Sequence, residues 1–339
     1  MWLVAACAVA VDRAPTPPSA PASTALPTFA PTASPTVAPT PTATADVLCG
    51  GKQPLDGVYR PDRFTFVDRC HTVSGTVDAV RQLAYGEVEV ALTVDIEYEA
   101  TVLNIRNVTD LGRDLAVRFI CVSPAEAEAA QACGTYRNDL HMPKIGERMS
   151  VTGPFVTEKA EGWNAIHPAR IVTTLTTPAP EVPLVVRQAR DIWAQIRAQW
   201  PLVPPMVFAG SADTGPAAAL YPDGLAHLIL ATGGAPEPHT VWHEAGHTLH
   251  AAALKNRGQL DYLFTPRDTV GIAYWQARGY PGAWSDRLQG EWRVLGYEAF
   301  AESFAAVNLD QPERTETYGA PLDKPAMIAF FKSLSAPQQ

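Results

Sequence analysis

His243, Glu244 and His247, in the stretch His243-Glu244-Ala245-Gly246-His247, have the types and spacing needed for metal-assisted hydrolysis. On a helix, positions i and i+4 share one face about 6 Å apart, so two imidazoles can converge on one tetrahedral zinc ion. Glu244 directly follows the first histidine and can reach the ion's open position, where a carboxylate takes a proton from water. The motif requires a helix to carry it, a third ligand and a compartment.

The flanking residues suit a helix. Pro238 can occupy a first turn, alanines recur at 245 and 251–253, Lys255 and Arg257 fall near the end, and Gly258 is a stop. Gly246 costs a helix about 1 kcal/mol relative to Ala, so a close approach by another element is expected there. His250 lies one turn beyond His247 and is read as supporting or packing rather than ligating, because a tetrahedral ion is awkward to reach from it.

A third ligand is offered downstream by Tyr297-Glu298-Ala299-Phe300-Ala301-Glu302-Ser303-Phe304-Ala305. Glu298 and Glu302 share a helical face, with Phe300, Phe304 and Val307 forming an apolar stripe on another. Like charges at i, i+4 destabilise a helix by a few tenths of a kcal/mol, an objection that a buried dication removes. One glutamate would bind zinc and the other would accept the N–H of a ligating histidine. The alternative is a solvated acidic face.

These two motifs together resemble the gluzincin metallopeptidases, and within them the branch of the anthrax lethal factor catalytic domain and the Pro-Pro endopeptidases. The resemblance covers about 150 residues and implies His243, His247 and Glu298 as zinc ligands, Glu244 as general base and Glu302 as a supporting carboxylate. Metzincins are excluded, since they require Gly and His where this chain has His250 and Ala253. The chain departs from the branch at Glu291, where a transition-state tyrosine is expected; Tyr274, Tyr280, Tyr297 and Tyr318 are the substitutes considered.

The N-terminal part suggests export. Val4-Ala5-Ala6-Cys7 resembles a bacterial lipobox, with Cys7 the expected lipidation site in a signal remnant over residues 1–13. Of residues 14–45, 29 of 32 are Ala, Pro, Ser or Thr, so 14–46 reads as an extended stalk without a core. Four further cysteines fit disulfides in an oxidising compartment, and the short local loops favour Cys121 with Cys133 and Cys49 with Cys70. In a cytosolic chain they would be buried thiols.

Between them, residues 47–175 show alternating runs that predict antiparallel strands, at 71–77, 87–94, 115–121, 148–153 and 165–172. A helix-like insert at 124–132 follows the third run, and the order resembles an OB-fold barrel, most closely over 143–168. His167 reads as a packed strand residue. The net charge of −9, and nine Lys/Arg against fourteen Asp/Glu over 70–174, argue against nucleic acid as a partner. Residues 176–183 form a proline-rich linker, and 184–339 a zincin-like domain with a helix from about 185, short strands at 206–209 and 226–230, and the two motif helices.

The expected fold class is therefore multidomain, an OB-like antiparallel β-barrel followed by an α+β zincin-like metallopeptidase domain. The expected function is cleavage of extracellular peptides or proteins with one zinc ion, by a monomer held at the bacterial membrane only through its lipid. The alternative is a non-catalytic surface lipoprotein with a structural or relict zinc site.

Overall fold

The computed structural model describes Cys49 and residues 53–335 apart from 84, 124–125, 137, 213–215, 232–235 and 316–319. The lipobox with Cys7 and the stalk lie outside the described residues, as does Tyr318.

Strands β1 (Phe64–Gln82), β2 (Val88–Val94), β3 (Leu115–Phe119), β4 (Arg148–Glu158), β5 (Asn164–Ile166) and β6 (Ile171–Thr174) form one mixed sheet, within a mixed α/β protein. Their pairings run β1–β2–β3–β5–β4 and return to β1, because the long first strand bonds β2 with one stretch and β4 with another. Gly75 lies where that strand serves both neighbours. A Cβ there would stand 2.4 Å from the Thr93 carbonyl oxygen, so only glycine permits the approach. Alternation sends Val73, Val77, Val90, Leu92, Leu115, Val117, Met149 and Val151 into a common apolar core. The expected run at 165–172 divides into β5 and β6 around a cis His167–Pro168 bond. Short helices α1 (Glu99–Val102) and α2 (Ile105–Asp110) follow β2, and α3 (Ala127–Cys133) lies between β3 and β4 as the sequence predicts. Both expected disulfides are present, with Cα–Cα separations of 5.4 Å for Cys49–Cys70 and 5.8 Å for Cys121–Cys133.

Helix α4 (Leu184–Gln199) opens the second region, followed by a three-stranded sheet of order β7-β9-β8, from β7 (Met206–Ala212), β8 (Ala217–Leu220) and β9 (Ala226–Ala231). Then come α5 (Pro238–Asn256), α6 (Thr269–Ala277), α7 (Gly296–Leu309) and α8 (Lys324–Ser333). Trp193 and Ile196 of α4, Leu228 and Leu230 of β9, Val241 and Leu249 of α5, Phe300 and Phe304 of α7, and Phe331 of α8 form its core. No described helix is long and apolar enough to cross a membrane.

The two regions are joined by packing as well as by chain. Val207 and Leu225 bury their side chains in the same apolar cluster as Val73 and Leu92. Glu99 of α1 accepts hydrogen bonds from Arg113, Arg190 and the Phe208 N–H, while Arg113 also donates to the Met206 carbonyl at 2.8 Å. Burying an ion pair is tolerated when its remaining hydrogen-bonding groups are satisfied, and Glu99 meets that condition with three donors.

His167 is fully buried, packs against Phe64 with the rings tilted and 4.3 Å between centroids, and has no hydrogen-bond partner among the described residues. Burial, reinforced by Arg118, Arg63 and Arg170, pushes its pKa well below the ordinary histidine value. Glu87, 3.7 Å away, does not offset this, being held already by Arg63 and Arg118. The folded pKa is depressed, so below about pH 6.5 the unfolded chain binds the extra proton and the folded chain does not. Stability therefore falls as pH drops through that value, by up to about 1.4 kcal/mol per pH unit from this group. Urea unfolding at pH 7 and pH 5 is expected to show a smaller acid loss for His167→Phe than for the wild type. Equal losses would show that another group is responsible.

Candidate metal centre

Helix α5 begins as the sequence predicts, with Pro238 in its first turn, and its final carbonyls are met by Arg257 and by Gly258 at φ 66°. It runs antiparallel to α7, since successive residues along α5 meet descending residues of α7. His239 contacts Glu302, His243 contacts both Glu302 and Glu298, and His247 contacts Glu298.

Gly246 explains why the helices lie so close. A Cβ there would fall 2.7 Å from Ala301 Cα, so the α7 backbone occupies the space a side chain would take. The small residue expected at this position is thus matched by a small residue facing it.

His243, His247 and Glu298 converge. His243 Nε2 lies 3.1 Å from Glu298 Oε2 and 3.2 Å from His247 Nε2, and the remaining edge, His247 Nε2 to Glu298 Oε2, is 3.7 Å. All three ligand atoms lie within 4.8 Å of one another, and the group could hold a metal ion. The imidazoles are partly accessible, with His243 the most open member, while Glu298 is buried. Burial opposes ionisation of Glu298, but His247 and His243 outweigh it and hold the carboxyl well below the usual range.

Glu302 stands behind that triad. Its Oε2 is 3.0 Å from His243 Nδ1, and its Oε1 accepts from the Arg314 backbone N–H at 2.7 Å and approaches His239 Nε2 at 2.9 Å. Burial again pushes against ionisation, and the hydrogen bonds from His239 and His243 overcome it, lowering the pKa.

Glu244 is buried, and burial raises its pKa against the opposing pull of His247 and His243. Its carboxylate accepts from the Ala218 backbone N–H on β8, and its Oε2 has no hydrogen-bond partner among the described residues. A buried carboxylate oxygen without a partner costs roughly 1–3 kcal/mol or more, so this group does not stabilise the fold.

His250 does not join the cluster. It is fully buried, pairs with Asp268 at 2.9 Å and stacks on Phe300 at 4.5 Å. Asp268 also accepts from Gly271 N and Phe264 N, so the pair fixes the start of α6. Of the tyrosines considered for the oxyanion, Tyr274 is buried with its hydroxyl bonded to the Ala299 carbonyl and Ser303. Tyr280 packs beside Tyr274, Trp275 and Arg278, and burial pushes it up to about 12. Tyr297 lies beside the cluster, its ring 6.2 Å from that of His247 and 4.5 Å from Phe264.

Sequence reasoning missed His239, the Arg314 amide and strand β8. His239 was detectable, since 239, 243 and 247 repeat one spacing; the other two depend on where distant backbone folds back.

Gly246→Ala is expected to force α5 and α7 apart. Overpacking costs roughly 1–3 kcal/mol, partly offset by about 1 kcal/mol of helix propensity. Chemical denaturation should show a net loss; a gain in stability would contradict the close crossing. No known protein family and no curated protein matches the chain.

Proposed function

We propose that this chain is a zinc-dependent metallopeptidase acting on extracellular or cell-surface peptides or proteins. The observation that carries the reading is the convergence of two imidazole nitrogens and one carboxylate oxygen beside a buried glutamate with an orphaned oxygen. A tetrahedral zinc ion with ligands at about 2.0–2.1 Å places its ligand atoms about 3.3 Å apart, close to the separations of 3.1, 3.2 and 3.7 Å found here. A nitrogen-rich donor set of this kind suits zinc better than the all-oxygen preferences of calcium or magnesium. Such an ion, when bound, supplies Lewis acidity and lowers the pKa of water.

The chain's own groups supply the remainder. Glu244 takes the proton of the attacking water and delivers it to the departing amine, and burial, by raising its pKa, makes it the stronger base for the first of these transfers. Glu302 holds the Nδ1 proton of His243, leaving Nε2 as the lone-pair donor. Strand β8 is an edge strand of its sheet among the described residues and its Ala218 amide reaches Glu244, so an extended peptide paired along that edge would lie beside the reacting groups.

The same reading extends to the rest of the chain. The closed circuit β1–β2–β3–β5–β4–β1, with α3 between β3 and β4, supports an OB-like barrel for the first region. The two disulfides favour an oxidising compartment outside the cytosol, consistent with a lipid anchor at Cys7.

Zinc content and peptide cleavage test the proposal on the wild type, Glu244→Gln and Glu298→Gln. Glu244→Gln should keep its zinc and lose roughly 10²- to 10⁴-fold in cleavage rate, the contribution of a general base. Glu298→Gln should lose zinc and activity together. Undiminished cleavage by Glu244→Gln sinks the enzymatic reading, and zinc binding without cleavage in the wild type would leave a non-catalytic metal site.

A further inference from the structure

Glu302 can orient His243 only if its own carboxylate plane is fixed, and the terminal torsion of a glutamate is broad and roughly two-fold. Its Oε2 serves His243 Nδ1 at 3.0 Å, so the plane must be set through Oε1. Two donors meet Oε1: the Arg314 amide at 2.7 Å and His239 Nε2 at 2.9 Å. His239 is buried, lies one helical turn before His243, and its ring is stacked 6.3 Å from that of His243. It does not belong to the group of three ligands.

We infer that His239 is a positioning residue that sets the metal affinity of this centre through Glu302. The inference rests on the metal-site reading above and extends it to a residue outside the ligand set. Three histidines at 239, 243 and 247 and two glutamates at 298 and 302 form one ladder, His239–Glu302–His243–Glu298–His247. The protons on it are dictated by chemistry. Glu302 Oε1 already accepts the Arg314 N–H at 2.7 Å and Oε2 faces Nδ1 of His243, so both carboxylate oxygens act as acceptors, His239 donating from Nε2 and His243 from Nδ1. The second donation leaves the ring's lone pair on Nε2, the atom that faces Glu298 and His247. Losing the first lets the carboxylate turn about the single Arg314 contact, and His243 loses its fixed ring orientation. The acidic face suggested by the sequence is thereby given a division of labour, one glutamate for the ion and one for the ligand's far nitrogen.

The test is zinc affinity of the full chain by competition with a chromophoric chelator. The proteins compared are wild type, His239→Leu, His239→Gln, Glu302→Gln and the His239→Leu/Glu302→Gln double variant. Removing an outer partner of a ligand costs roughly 10- to 100-fold in affinity, and that loss is expected for His239→Leu. His239→Gln keeps an N–H donor and should recover most of the affinity, a rescue that a merely space-filling role does not give. The double variant should bind no more weakly than Glu302→Gln alone, because His239 acts only through Glu302. Wild-type affinity in His239→Leu, or losses that multiply in the double variant, overturns the inference while leaving the metal site standing. A wild type that binds no zinc overturns both. Should the leucine variant fail to fold, the tautomer of His239 in the zinc-loaded wild type decides by ¹⁵N NMR: a proton on Nε2 supports the inference and a proton on Nδ1 overturns it.

Discussion

The crossing of α5 and α7 at Gly246 and Ala301 is the constraint on which the site depends. With a Cβ at 246 only 2.7 Å from the facing backbone, the helices approach as near as their main chains permit. At that distance histidines on one helix and glutamates on the other meet directly, and their contacts alternate along the antiparallel seam. A wider crossing would leave each carboxylate in its own pocket, buried and unpaired, at a cost of several kcal/mol per ion. The glycine is therefore less a concession in helix propensity than the condition for the electrostatics.

Those electrostatics are otherwise unfavourable. Glu298 and Glu302 are like charges one turn apart, both almost fully enclosed, and Glu244 lies buried nearby. Burial pushes all three toward the neutral form, yet two are held ionised by imidazoles. Glu244 alone is raised, because its burial outweighs the pull of His247 and His243 and, among the described residues, neither histidine hydrogen-bonds to it. Three carboxyls within a short span thus differ by environment: Glu298 meets His243 and His247, Glu302 meets His239 and His243, and Glu244 is enclosed with its pKa raised.

The three-stranded sheet is held from both sides. Helix α5 packs on one face through Leu228 and Leu230, and the first region contributes Val73 and Leu92 to the cluster that contains Val207 and Leu225. Glu99, with Arg113 and Arg190, ties the beginning of β7 to α1. The placement of β8 over Glu244 is consequently supported by residues from both regions, although a linker without regular structure separates them in sequence.

Local periodicity made much of this legible. The α5 and α7 helices, the strands of the first sheet and the two disulfides could be read directly, because helical faces, strand alternation and short cysteine loops are encoded within a few neighbouring residues. The ladder face of α5 was legible too, but His239 passed unread beside a motif that seemed complete without it. Strand β8 carried no signal: Ala217-Ala218-Ala219-Leu220 lacks alternation and has helical propensity, and pairing with β9 makes it a strand. Which glutamate meets both His243 and His247 and which meets His239 follows from the antiparallel docking of α7, and the burial of Tyr274 and Tyr280 from the packing around α6. The sequence by itself determined which side chains share a helical face. Only the tertiary structure decided which faces meet, because that depends on backbone approach between residues some fifty positions apart, which no local pattern records.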